Sequence, residues 1–172
     1  MNLIIRKSTE SDRGGIRELV ASSFGIRRDA TECFLDGVYI LAVDTDCNKI
    51  VGMTGLNENK QYVSRWESNY TCVHPVYRRM GIGSLLVEAL IREANSKNVT
   101  RLYWSAWVDG NDVSKVEPLL RKYGFEKVLN QRVCYMLGHN CDLNETDCVN
   151  YIGKNCKCKE DLWVLYMNIE DT

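Results

Sequence analysis

No apolar run in the chain approaches the ~20 residues needed to span a bilayer. The opening stretch, Met1–Arg6, is too short in apolar residues for a signal peptide. Charge of one sign is missing too: 22 Lys and Arg stand against 23 Asp and Glu, a net −1. Without a basic field, neither nucleic acid nor a membrane surface is an expected partner. There is no internal repeat, no low-complexity tract and no interdomain linker. A single domain over residues 1–172 is therefore expected, large enough for a sizeable core.

Cysteine, by contrast, is plentiful. The eight are Cys33, Cys47, Cys72, Cys134, Cys141, Cys148, Cys156 and Cys158. In a secreted chain they would suggest a disulfide framework. With nothing marking secretion they read as thiols or thiolate ligands. Four of them, with His139, fall in Gly138–Asp161, a polar stretch of 24 residues. A structureless loop of that length is uncommon inside a compact domain, so it needs an anchor, a function or disorder. Thiolates select zinc. A shell of Cys141, Cys148, Cys156 and Cys158, with His139 in reserve, would order a loop too polar to build its own core. The spacing contains no Cys-x-x-Cys pair, so free thiols, or disulfides formed on oxidation, remain as alternatives.

The periodicity predicts the order β-α-α-β-β-β-α-β-α-β-β, an α/β (α+β) pattern. Leu3–Lys7 is a first strand, and Glu10–Phe24 a helix on which Ile16, Leu19, Val20 and Phe24 keep helical spacing. A short helix is expected over Ala30–Leu35. Tyr39–Val43 and Ile50–Leu56 are strands joined by the polar run Asp44–Lys49. A strand over Val63–Val73 leads to a helix over Ser84–Asn95. Arg101–Val108 reads as a buried strand, and Asp109–Asp112 as a loop. A helix with Glu117 near its cap and Pro118 in its first turn ends at Tyr123, where Gly124 terminates it. Gln131–Leu137 and Leu162–Ile169 close the pattern as strands, with residues 138–161 as an insertion between them.

The most informative segment runs from Val73 to Ser84: Val-His-Pro-Val-Tyr-Arg-Arg-Met-Gly-Ile-Gly-Ser. A strand, a turn rich in Arg and Gly, and a helix start make an anion site. The first N–H groups of a helix have no partner inside it, and the helix dipole adds partial positive charge. Together they suit a phosphate or pyrophosphate. Gly81 and Gly83 carry no side chain to block approach to the backbone.

This segment resembles the acyl-CoA signature of the GNAT superfamily of N-acetyltransferases: Arg or Gln, two residues, Gly, one residue, Gly or Ala. Arg78, Gly81 and Gly83 match it, Val73 and Pro75 precede it as in many members, and Leu85, Leu86, Ala89 and Leu90 follow on one helical face. Gly124-Phe125 resembles the family's usual ending of its last helix. The resemblance extends over nearly the whole chain. It implies the GNAT fold, a mixed sheet of about seven strands flanked by about four helices. It implies acetyl-CoA as co-substrate, an intracellular cofactor that favours a cytoplasmic location. The reaction implied is acetyl transfer to a small-molecule or protein amine by direct attack in a ternary complex. A homodimer is compatible with it.

The chemistry then assigns expectations. The loop Arg78, Arg79, Met80, Gly81, Ile82, Gly83 and Ser84 would hold the pyrophosphate. Cys72, Val73 and His74 line the strand end along which the pantetheine arm should lie. A backbone N–H there, that of Val73, would face the thioester oxygen. Asn111 sits in the loop before the last helix, as in many members. Cys72 has the chemistry of a nucleophile but is better read as a small apolar strand residue. A primary amine is mostly protonated at neutral pH, so a base is needed. Glu67 is the candidate, with His74 behind it, and alternation places Glu67, Asn69 and Thr71 on one face. The family's usual acid, a Tyr four residues before the Gly-Phe pair, is replaced here by Leu120. Tyr123 is then the candidate acid, with Tyr103 in reserve. Tyr62, Trp66, Trp104 and Trp107 suit either an acceptor pocket or the core. Leu120 also keeps a rival open: a non-catalytic CoA-binding or metal-stabilised module.

Overall fold

In a computed structural model of the chain, residues 1–24, 37–58, 66–108, 114–133 and 159–167 are described. The strands are β1 (Leu3–Lys7), β2 (Gly37–Asp44), β3 (Lys49–Glu58), β4 (Trp66–Val73), β5 (Arg101–Val108), β6 (Glu126–Val133) and β7 (Lys159–Tyr166). The helices are α1 (Arg13–Phe24), α2 (Ile82–Ser96) and α3 (Glu117–Lys122). All seven strands share one sheet in the order β1-β2-β3-β4-β5-β7-β6. Neighbours are antiparallel except β4 and β5, which run parallel.

Both faces of the sheet are covered, and alternation along β2 sorts its residues between them. Tyr39, Leu41 and Val43 join Ile16, Leu19 and Val20 of α1 in one cluster. Ile40 and Ala42 join Ile82, Leu86 and Leu90 of α2 in the other, which continues through Leu102, Trp104 and Ala106 of β5 to Trp163 of β7. Two-sided burial is why residues 38–43 read as a continuous apolar run rather than an alternating one. The second cluster runs from β1 to β7 and so links the two halves of the sheet.

Several boundaries differ from expectation. A 3-10 turn, Glu10–Asp12, precedes α1, and α2 starts two residues earlier, at Ile82. β6 spans Glu126–Val133 rather than beginning at Gln131, and β7 begins at Lys159 rather than Leu162. The polar start of β7 is made tolerable by pairing: buried Asp161 accepts from Lys127 Nζ on β6 at 2.7 Å. α3 carries Glu117 and Pro118 in its first turn and ends as expected, with Gly124 at φ 79° and Phe125 N–H donating to Leu120 O at 3.0 Å. The expected helix at Ala30–Leu35 and the cysteine-bearing stretch 138–158 lie outside the described residues.

Candidate functional site

The site begins with a fault in β4. Gly55 of β3 faces Asn69, and Met53 faces Cys72. Thr54 alone therefore opposes both Tyr70 and Thr71, which is a β-bulge. Tyr70 takes φ 47°, a left-handed conformation that costs roughly 1–2 kcal/mol for a residue with a Cβ. Its side chain packs against the α1-side cluster.

The bulge corrects the expected alternation. Met53 belongs to the α1-side cluster, and a Cβ on Gly55 would meet Tyr39 of the same cluster. Thr54, between them, points to the α2 side. Thr71 follows it there, its hydroxyl 2.6 Å from that of Thr54 and 3.1 Å from that of Ser68. Glu67 and Asn69 share the α1 side with Cys72 instead, and Thr71 does not join them.

Among the described residues β4 and β5 pair over three positions: Trp66 with Leu102, Glu67 with Tyr103 and Ser68 with Trp104. Beyond the bulge the two strands carry no further pairs. His74 N–H donates to Val51 O of β3 at 2.9 Å. Successive peptide groups of an extended strand point to opposite edges, so the N–H and C=O of Val73 face the open β5 side. The carbonyl accepts from Arg78 Nε at 3.1 Å.

The loop that follows is folded tightly. Pro75–Tyr77 form a 3-10 turn, with Tyr77 N–H bonded to His74 O at 2.8 Å and Val76 N–H to His74 Nδ1 at 3.4 Å. Arg79 at φ 65° and Gly81 at φ 80° turn the chain into α2. No side chain caps that helix, and its first internal bond is Leu85 N–H to Gly81 O at 3.2 Å. The N–H groups of Ile82, Gly83 and Ser84 thus point out of the helix end. Arg78, Arg79, Met80 and Gly81 are exposed around them, while Ile82 is buried and anchors the turn.

The two glycines do different things. A Cβ on Gly81 would meet nothing within 4 Å, and its left-handed φ is what requires glycine. A Cβ on Gly83 would lie 3.4 Å from Leu119. Gly83 serves the approach of α3 to α2 as much as that of a ligand.

α3 closes the other side. Tyr123 Oη donates to Glu88 Oε1 at 2.6 Å and lies 3.4 Å from Ser84 O. Lys122 Nζ sits 3.4 Å from Ser84 Oγ and 5.0 Å from the centre of the Tyr123 ring. Sequence reasoning missed Lys122, because its place beside α2 is set by tertiary packing and not by any motif. Leu120 is wholly buried.

Cys72 is also buried, and burial pushes its thiol up to about 12, against smaller opposing effects of Ser23 and Arg78. A thiol so held is protonated at neutral pH and is no nucleophile. His74 is shifted the other way: burial, then Lys49 and Arg78, lower its pKa below the ordinary value. Of the expected aromatic residues, Trp104 belongs to the core, Trp66 packs against it, and Trp107 meets Phe24 at 5.9 Å between ring centres. Tyr62, Asn111, Cys141, Cys148, Cys156, Cys158 and His139 lie outside the described residues. Among the described residues no group of three or more His, Cys, Asp and Glu is arranged to hold a metal.

The arrangement fits a long, bent, anionic ligand. The uncapped start of α2 with Arg78, Arg79 and Lys122 suits a pyrophosphate. The open edge of β4 suits an extended amide-bearing arm, which can pair with it as an added strand.

Residues 14–125 match the model of the Acetyltransferase (GNAT) family. Among solved structures, the ribosomal-protein-S18-alanine N-acetyltransferase from Escherichia coli is similar at TM-score 0.71 and 15% identity, over 99% of both chains. An IAA acetyltransferase from Bacillus cereus gives 0.72 at 14%, covering 96% of this chain and 100% of that one. A GNAT family acetyltransferase from Elizabethkingia anophelis with acetyl-CoA bound gives 0.70 at 18%, covering 96% and 99%. At these identities the likeness is one of fold. No protein with a curated description matches by sequence.

Proposed function

The chain belongs to the GNAT family of acetyltransferases, and from that membership we propose that it transfers acetyl from acetyl-CoA to a primary amine by direct attack in a ternary complex. The observation that carries the reading is the opening between β4 and β5, with the Val73 peptide turned towards it and an uncapped helix start beside it. Backbone N–H groups of Ile82, Gly83 and Ser84, with Arg78 and Arg79, take the pyrophosphate. The Val73 N–H donates to the thioester oxygen as negative charge develops there. Glu67, at the last stretch where β4 and β5 still pair, takes the proton from the amine, directly or through water.

Direct attack is favoured over a ping-pong route because Cys72, the one strand thiol among the described residues, is buried and protonated. Tyr123 is the proposed donor to the departing thiolate, since Leu120 carries no hydroxyl. Its own proton is held in the short bond to Glu88. The acceptor is either a small-molecule amine or a protein amine.

The test is CoA release from acetyl-CoA across a panel of polyamines, aminoglycosides, amino acids and peptides. Release with one amine class, and a lower rate with a changed pH profile in Glu67→Gln, is expected. Tight CoA binding with no release above the uncatalysed background for any amine would leave a CoA-binding module and reject the enzyme.

A further inference from the structure

A second cleft lies away from the β4–β5 opening, between the start of α1 and the turn joining β2 to β3. It encloses about 250 Å³, below the roughly 300–1,000 Å³ typical of drug-sized pockets. Leu19, Val43 and Ile50 line its apolar part. Its charged walls are of opposite sign: α1 contributes Glu18, and β3 contributes Lys49 beside His74. Among the described residues neither Glu18 nor Lys49 has an ion-pair partner.

One end of the cleft is fixed. Arg6 grips Asp12 through two bonds of 2.7 Å, and Asp12 also accepts from the Thr9 N–H and hydroxyl at 2.7 and 2.9 Å. That carboxylate is satisfied by protein.

The other end is not. His74 Nδ1 accepts from Val76 N–H, so the proton of the neutral ring sits on Nε2. Burial and the neighbouring cations keep the ring neutral near pH 7. Nε2–H then faces the Lys49 ammonium at 3.4 Å. Both are donors, and an ammonium has nothing to accept with. An anionic oxygen between them satisfies both. Glu18, exposed on α1, presents a carboxylate to the same cleft.

We propose that this cleft is a second binding site, for a small zwitterion such as a free amino acid. The carboxylate lies between Lys49 and His74, and the ammonium lies against Glu18. An anion alone would leave Glu18 facing like charge, and an amine alone would leave the two donors opposed. The ligand here is an effector and not the acetyl acceptor, because the cleft is lined by α1 and the β2–β3 turn and not by the β4–β5 opening. The route to the loop is short. The His74 ring holds the Val76 N–H in the turn that leads to Gly81.

Calorimetry on the full chain with the twenty amino acids tests this, with the decarboxylated and the deaminated counterpart of each binder. At least one amino acid is expected to bind, and each counterpart about tenfold or more weakly, the loss of one charge-assisted hydrogen bond. Lys49→Met and Glu18→Gln should each impose a similar loss and leave CoA affinity measured alone unchanged. No binding by any amino acid at millimolar concentration overturns the proposal, as does unchanged affinity in both variants. Displacement by CoA, or acetylation of the bound amino acid, would assign it to the acetyl-transfer site and overturn it equally.

Discussion

Gly81 and Cys72 show how single positions divide the labour of the site. Gly81 holds φ 80° with open space where a side chain would stand. Gly81→Val is expected to cost stability only about 1–2 kcal/mol, the penalty of a left-handed conformation. It should weaken CoA binding by much more, because the new side chain occupies the helix end. Calorimetric CoA affinity set beside a denaturation curve separates the two effects, and equal affinity would remove the loop from the site. Cys72→Ala should leave turnover within about threefold, since a protonated buried thiol does no chemistry; a complete loss of burst and turnover would restore the covalent route. Asp12 belongs to the same scale. The Arg6 bond first, then the bonds from Thr9, hold its carboxyl well below the usual range. A folded-state pKa lower than the unfolded value of ~3.9 contributes stability above that pH and loses it below. The stability gap between the parent chain and Asp12→Asn should therefore be full at pH 6 and shrink as pH falls from about 4. A gap constant down to pH 2 would show that ionisation of Asp12 contributes nothing.

Among the elements, β4 decides whether there is a site. Its bulge at Tyr70–Thr71 ends the match to β3 in one register and resumes it in another. Deleting Thr71 should restore plain alternation, leave Cys72 and Val73 opposite Met53 and Gly52, and turn Tyr70 to the α2 side, removing the bulge beyond which β4 parts from β5. Acetyl-CoA binding should be lost and the midpoint of unfolding lowered. A deletion variant with native CoA affinity would show that the bulge is incidental. This was the feature least legible in the sequence. Ser68, Asn69, Tyr70 and Thr71 are polar or amphipathic, so a slip in their phase leaves no mark on an apolar pattern. β1 and β5 were legible to the residue, because their hydrophobic spacing is bounded by clear turn residues. The loop from Arg78 to Ser84 was legible as an anion site, since its glycines, arginines and following helix carry their own geometry. β6 and β7 were displaced by several residues. Their starts, Glu126-Lys127 and Lys159-Glu160-Asp161, look like loop, and it is pairing between segments distant in sequence, with the Lys127–Asp161 ion pair across it, that makes them strand. Lys122 and the Glu67–Tyr103 neighbourhood were likewise set by contacts between elements far apart in the chain.

At the scale of the molecule, the sheet is two pieces, β1 to β4 and β5 to β7, joined edge to edge over three residue pairs and by the core beneath α2. Amides that face the gap beyond Ser68 and Trp104 should exchange with solvent faster than those of β2 and β3. Adding acetyl-CoA should slow exchange at Val73 more than at any residue of β1. Unchanged exchange at Val73 with saturating ligand would reject pairing along that edge. The narrow junction has a mechanical consequence as well. β1 lies in one piece and β7 in the other, so tension applied between them passes through the three β4–β5 pairs and the α2 core. Under load this seam is the weakest link of the sheet, and a molecule seated across it works as a rivet.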